Sequence, residues 1–286
     1  MAKTKTSPLD RLMSEFRRVG YPVWTGQSLP KRNFLTTFSV KVDDVLGGGL
    51  LPGSVVEVSG PNGSGKSSLV ASWLRGRDAL WVALEYTDPT WIHRLGGDPL
   101  FVDPQTGADS ERRFLGDDAW EAVREAVKAN VPFIVLDSLG ALLPSGEDEK
   151  EMTEEVRAGV ARLITKGLRR TMPCLRESVL VLISQVMDVQ GSRFPMLRSK
   201  GGHAKDHFAH VRLEVRRKDV IRKQMEGQKV ALGQTIQVRT IKNKWAPPFR
   251  ECLLYLSYDG KITDELPGKE KETLVEKMDR MAEDVD

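Results

Sequence analysis

The sequence predicts an α/β protein built on a doubly wound, mostly parallel sheet, extended by antiparallel strands and preceded by an N-terminal helix and arm. Three observations predict it. Short, near-continuous apolar runs at 55–58, 79–84, 133–136 and 179–183 alternate with helical patterns, as strands covered by helices on both faces do. A glycine-rich turn, Gly60-Pro61-Asn62-Gly63-Ser64-Gly65-Lys66-Ser67, joins the first run to a helical pattern over 68–75. Beyond residue 210, Val211, Leu213 and Val215 alternate with Arg212, Glu214 and Arg216, and Ile236 and Val238 with Gln237 and Arg239, as half-exposed antiparallel strands do.

Taken in order, Ser7-Pro8-Leu9-Asp10 reads as a helix start: Ser7 is the N-cap, Pro8 the first helical residue, and Asp10 completes a capping-box-like pair. Leu9, Leu12, Met13 and Phe16 share one face, and Gly20 ends the helix. Residues 21–39, with Pro22 and Pro30, suit an extended arm that docks on its own core or on a neighbouring subunit. A helix over about 117–129 opens on Asp117 as cap, with Trp120, Val123 and Val127 on one face, and stops before Pro132. A polar loop at 144–151 precedes an amphipathic helix with Met152, Val156, Val160, Leu163, Ile164 and Leu168 inward. Residues 218–230 read as a polar, basic connection between the antiparallel strands, and 252–256 as one more strand. The organisation is a helix and oligomerisation arm over 1–38, a core over 39–265 and a short charged helix or tail over 266–286.

Composition narrows the class. The chain has 286 residues, 29% charged and 40% hydrophobic, the balance of a globular protein with one large core. No apolar run approaches a membrane span, and Met1-Ala2-Lys3-Thr4-Lys5 lacks a secretory stretch, so a cytoplasmic protein is expected. Cys174 and Cys252 lack paired metal-knuckle spacing and read as reduced thiols. A net charge of +3 permits an anionic partner without demanding one.

The chemistry centres on residues 60–67, a complete G-x-x-x-x-G-K-[ST] phosphate loop. Gly60, Gly63 and Gly65 let the backbone turn tightly and aim N–H groups at phosphate oxygens, and the helix start adds a favourable dipole. Lys66 suits the β- and γ-phosphates, and the Ser67 hydroxyl suits Mg²⁺. Asp137 ends its strand where a P-loop ATPase places a second Mg²⁺-directing carboxylate; read alone, it serves equally as a cap for the next turn. Glu85 ends the preceding strand at the same edge, where a carboxylate orients or deprotonates water, though alone it reads also as a surface glutamate. Gln185 follows the fourth strand, within amide reach of a γ-phosphate. The segment 186–202 then carries Arg193, Arg198 and Lys200 with Phe194 and Met196 between, a pattern that neutralises phosphates and wedges between bases, or else marks a plain surface loop.

In order along the chain, Asp43-Asp44-Val45-Leu46-Gly47-Gly48-Gly49-Leu50-Leu51-Pro52-Gly53 before the phosphate loop, Leu136-Asp137-Ser138-Leu139-Gly140, Ile183-Ser184-Gln185-Val186, Lys200-Gly201-Gly202-His203-Ala204, Val211-Arg212-Leu213-Glu214-Val215-Arg216-Arg217 and Ile241-Lys242-Asn243-Lys244-Trp245-Ala246-Pro247-Pro248-Phe249 resemble the RecA recombinase family over about residues 38–260. The resemblance implies a RecA-type P-loop NTPase core using ATP and Mg²⁺. It implies that Glu85 is the catalytic glutamate, that Gln185 is the γ-phosphate sensor, and that residues 60–67 with Ser68 cradle the nucleotide. Asp88 and Trp91 match adenine contacts, one residue being missing between Glu85 and Asp88. Lys242 and Lys244 match lysines that reach the ATP of the neighbouring subunit. The loops at 144–151 and 186–200 match two DNA-binding loops, with Arg193, Phe194, Met196, Arg198, Lys200, Gly201 and Gly202 as the DNA-binding set.

The expected activity is a DNA-dependent ATPase that forms a filament on single-stranded DNA and serves homologous recombination and repair by strand exchange, with duplex DNA a further partner. Two departures leave rivals. Bacterial members continue into a C-terminal domain that gathers duplex DNA, of which little is expected here, and the first DNA loop is acidic, with Glu147, Asp148, Glu149 and Glu151 against Lys150. The rivals are a regulatory or accessory ATPase without strand exchange and a ring-forming DNA motor.

Overall fold

A computed structural model describes residues 7–26, 33–104, 114–145, 154–188, 197–199, 204–225 and 228–265. The chain divides into two units, Met1–Asn33 and Phe34–Asp286. In the first unit, α1 (Pro8–Arg18) carries the anticipated capping box: Ser7 Oγ accepts from the Asp10 N–H at 3.1 Å and the Asp10 carboxylate accepts from the Ser7 N–H at 3.1 Å. Leu9, Leu12 and Phe16 are exposed.

The second unit opens with α2 (Val40–Leu46), followed by β1 (Ser54–Gly60), α3 (Lys66–Ser72), β2 (Ala79–Ala83), α4 (Pro89–Arg94) and β3 (Leu100–Val102). Next come α5 (Gly116–Lys128), β4 (Phe133–Asp137), α6 (Glu154–Thr171), β5 (Val179–Asp188), β6 (Leu197–Ser199) and α7 (Ala204–Phe208). The chain then runs through β7 (Val211–Met225), β8 (Gln228–Asn243), β9 (Glu251–Ser257) and β10 (Lys261–Thr263). The sheet order is β10-β9-β8-β7-β1-β5-β4-β2-β3, with β6 paired to the end of β5. Pairs from β7 through β1, β5, β4 and β2 to β3 are parallel, and those from β7 outward to β10 are antiparallel. The doubly wound sheet with an antiparallel extension is thus present.

Both faces of the parallel half are dry, which explains its continuous apolar runs. Val56, Val58, Trp81, Val135, Val181 and Ile183 pack on the side of α3, while Val55, Leu80, Val82, Ile134, Leu136, Leu180 and Leu182 pack on the side of α5 and α6. Neighbouring residues point to opposite faces, so each strand feeds two cores.

Three local readings change. Residues 218–225 and 228–230 belong to strands and not to a connection: β7 and β8 continue as an antiparallel ribbon to the Met225–Gln228 pair, with register shifts at 212/213, 217/220 and 221/222. Backbone pairing there holds a polar segment that lacks an apolar face. Helix α5 starts at Gly116; Asp118, not Asp117, supplies the cap-like bond, accepting from the Leu115 N–H at 2.9 Å. Asp117 instead accepts from Lys166 Nζ at 3.0 Å and Ser145 Oγ at 2.9 Å, which holds its carboxyl below the usual range. Residues 40–46, unassigned from sequence, form α2, capped by Ser39 Oγ accepting from the Val42 N–H at 3.1 Å and closed by Gly47.

Candidate active site

Strand register assembles the site. Gly60 at the end of β1 pairs with Gln185 on β5, Asp137 at the end of β4 pairs with Ile183, and Ala83 at the end of β2 pairs with Asp137. Glu85 follows Ala83 by two residues, its N–H donating to the Asp137 carbonyl at 3.2 Å. One row along the carboxyl edge of the parallel strands therefore carries the phosphate loop, Gln185, Asp137 and Glu85. Ligands of open α/β sheets bind in the crevice at this edge.

The turn between β1 and α3 needs its glycines for two different reasons. A Cβ on Gly60 would lie 2.1 Å from the Val215 carbonyl oxygen, so close backbone approach excludes any side chain. Gly65 sits at φ +91°, a left-handed conformation that L side chains avoid, and delivers Lys66 into the first turn of α3. Pro61 and Asn62 form the exposed rim, and the Gly63 carbonyl accepts from Gln234 Nε2 at 3.1 Å. Ser64 Oγ is buried with no hydrogen-bond partner among the described residues.

Two polar pairs face this loop. Ser67 Oγ donates to Asp137 Oδ2 at 2.8 Å. Burial, above all, pushes the Asp137 carboxyl up to about 6; the nearby Glu85 charge adds to this, while the Ser67 bond and Lys66 oppose it. Lys66 Nζ donates to the Pro61 carbonyl at 2.9 Å, and burial lowers its pKa against the pull of Asp137 and Glu85. In the second pair, Gln185 Nε2 donates to both Glu85 oxygens at 2.8 and 3.0 Å, and Ser138 Oγ donates to Glu85 Oε1 at 2.5 Å. Ser138 was not singled out from sequence, although its place directly after Asp137 is a signal.

The donor set fits a nucleotide phosphate chain with a hard divalent cation. It offers a buried ammonium, an unpartnered serine hydroxyl, and a hydroxyl–carboxylate pair whose oxygens suit Mg²⁺. Lys66, Ser67, Asp137, Glu85 and Gln185 are thus brought together.

The other anticipated residues stand on neighbouring elements. Trp91 on α4 donates from Nε1 to Ser68 Oγ at 3.0 Å and so packs against the phosphate-loop helix. Asp88 is the cap of α4, accepting from the Thr90 N–H at 2.9 Å. Lys242 lies on β8, beyond β7 from the phosphate loop, where Nζ donates to the Asp206 carbonyl at 2.6 Å and the His207 carbonyl at 3.3 Å. Lys244 is exposed, its N–H donating to the His210 carbonyl at 3.1 Å. The backbone of Arg198 pairs with Met187, while Arg193, Phe194, Met196, Lys200, Gly201 and Gly202 lie outside the described residues, as do the acidic residues at 147–151 and the tail from 266.

Sequence reasoning also passed over Glu57, which is fully buried in the middle of β1. Its carboxylate accepts from Ser184 Oγ at 2.8 Å and from Arg212 Nε at 2.5 Å. A charged residue inside a run buried on both faces was the available signal. Among the described residues no helix is long and apolar enough to cross a membrane, and no group of three or more His, Cys, Asp or Glu is arranged to hold a metal.

Comparison with known proteins identifies the family. Residues 25–263 match the RecA N-terminal domain model. The protein named Protein RecA of Leptospira meyeri is 30% identical over 248 residues, covering 83% of this chain and 62% of that protein. Protein RecA of Chloroflexus aurantiacus is 34% identical over 232 residues, covering 76% and 62%. A mitochondrial DNA repair protein recA homolog of Dictyostelium discoideum is 31% identical over 249 residues, covering 82% and 52%. The chain therefore spans about three-fifths of the length of the bacterial relatives it matches. Because the RecA N-terminal domain accounts for residues 25–263, which include every described strand and the whole row of side chains at the sheet edge, this chain belongs to the RecA family.

Proposed function

We propose that this chain is a RecA-like recombinase: it binds ATP and Mg²⁺, assembles into a filament on single-stranded DNA, and hydrolyses ATP in homologous recombination and DNA repair by strand exchange. The observation that carries this reading is the Gln185–Glu85 pair set beside the phosphate loop, which links a water-activating carboxylate to an amide able to bind phosphate. Membership of the RecA family supports it.

Lys66 neutralises the β- and γ-phosphates, and residues 60–65 supply backbone N–H donors. Ser67 and Asp137 hold Mg²⁺, which once bound neutralises charge on the phosphate oxygens. Glu85 accepts the proton of the attacking water at its carboxylate, oriented by Ser138. The Gln185 amide donates to both Glu85 oxygens, and the same amide turning toward a γ-phosphate frees them. One side chain thereby couples the base to the γ-phosphate and reports nucleotide to β5. The segment after β5, carrying Arg193, Phe194, Met196, Arg198 and Lys200, contacts single-stranded DNA, and Lys242 and Lys244 reach the nucleotide of a neighbouring subunit.

Fluorescence anisotropy of a labelled single-stranded oligonucleotide, with and without ATP, tests the reading. The parent binds more tightly with ATP, and Lys66→Ala loses that difference. An equal ATP dependence in Lys66→Ala overturns the proposal.

A further inference from the structure

A buried carboxylate on a sheet strand is tolerated only when paired and hydrogen-bonded, so the company Glu57 keeps is informative. Its side chain is 0% exposed, on the face of β1 that also carries Val55. From β5, Ser184 Oγ donates to Oε1 at 2.8 Å; from β7, Arg212 Nε donates to Oε2 at 2.5 Å. The Arg212 guanidinium also reaches α7, with Nη2 3.0 Å from Asp206 Oδ1. The backbone carbonyl of the same Asp206 accepts from Lys242 on β8. Ser184 immediately precedes Gln185, whose amide holds Glu85. A continuous line therefore runs from Glu85 through Gln185, Ser184, Glu57, Arg212 and Asp206 to Lys242.

The position of this line along the chain gives it a use. β5 ends at Asp188 and α7 begins at Ala204, so Ser184 stands just before the intervening segment and Asp206 just after it. Both flanks of that segment are tied to one buried carboxylate, on one side by a neutral hydroxyl and on the other by a guanidinium that donates to Glu57 and stands at ion-pair distance from Asp206. A displacement of β5 at Gln185 moves the Ser184 anchor relative to α7 unless Glu57 and Arg212 carry α7 with it.

We propose that Glu57 and Arg212 are positioning residues, a buried strut that couples the Gln185 end of β5 to α7 and Lys242 and so transmits nucleotide occupancy to the segment between β5 and α7. This rests on the reading above that the segment contacts single-stranded DNA. The strut touches neither phosphate nor Glu85 directly, so breaking it leaves nucleotide binding and DNA-free turnover in place.

Three full-length variants test it: Glu57→Gln, which keeps the shape and one acceptor; Arg212→Lys, which keeps the charge but cannot fork; and Glu57→Gln with Arg212→Met, which leaves no unpaired charge inside. The readout is the ratio of single-stranded oligonucleotide affinities with and without ATP, beside the DNA-free ATPase kcat and KM. All three variants are expected to reduce the affinity ratio at least fivefold while DNA-free kcat and ATP KM stay within twofold of the parent. The double variant refolds to parental stability without regaining the ratio, which separates coupling from stability. The proposal is overturned if the double variant keeps the parental ratio, or if DNA-free turnover falls by the same factor as the ratio. A parent that binds no single-stranded DNA overturns the proposed function and the strut's role with it, and is recognised before any substitution is made.

Discussion

Asp137 is a charge the fold holds at a cost. Its carboxyl is displaced from 3.8 to about 6, chiefly by burial, even with Ser67 donating to it and Lys66 beside it. The native state therefore keeps the proton between these two values while the unfolded chain has released it, so stability falls as pH rises through that window. The displacement from 3.8 to about 6 is worth ~3 kcal/mol once pH exceeds both values, and about 1 kcal/mol near pH 4.5. Asp137→Asn removes the ionisable group yet leaves an amide oxygen to accept from Ser67. Without nucleotide or Mg²⁺, the variant should be more stable than the parent by ~3 kcal/mol near pH 7.5 and by about 1 kcal/mol near pH 4.5. Urea unfolding of both proteins at the two pH values, followed by tryptophan fluorescence, measures the difference. Mg²⁺-supported turnover should be lost in the same variant. A variant no more stable than the parent near pH 7.5, or a difference that does not change with pH, refutes the reasoning.

Two further outcomes follow from packing and hydrogen bonding. A Cβ on Gly167 of α6 would lie 2.1 Å from the buried Trp120 ring; although alanine favours helix by about 1 kcal/mol, the overlap should leave Gly167→Ala less stable by ~1–3 kcal/mol in thermal or urea unfolding. Gln234→Ala takes the donor away from the Gly63 carbonyl at the phosphate loop; it should raise the KM for ATP several-fold with kcat nearly unchanged, the mark of lost uniform binding.

The parallel half of the fold was legible because its physics is local. Strands buried on both faces must be apolar throughout, and the phosphate loop needs its glycines at fixed spacing, so β1, β2, β4, β5 and the residues ending them could be read directly. Elements stabilised by partners were not. β3 and β10 are short edge strands, α2 depends on caps at Ser39 and Gly47, and the β7–β8 ribbon is polar because neither face of its outer half is buried. In the site, the phosphate-loop motif pointed to Lys66 and Ser67, and places at strand ends to Asp137, Glu85 and Gln185, but their pairing needed the register that sets Gly60 beside Gln185. Glu57 was hidden for a related reason. Its partners Ser184 and Arg212 lie 127 and 155 residues away, and only the order β7-β1-β5 brings them together.

The reading of Glu85 as the base of a DNA-coupled ATPase is tested most directly by measuring ATP turnover with and without single-stranded DNA, on the parent and Glu85→Gln in parallel. Single-stranded DNA should stimulate the parent, and Glu85→Gln should lower the stimulated rate by about 10²-fold or more, the usual worth of a general base. A parental rate indifferent to DNA, or stimulation that survives in Glu85→Gln, would contradict it.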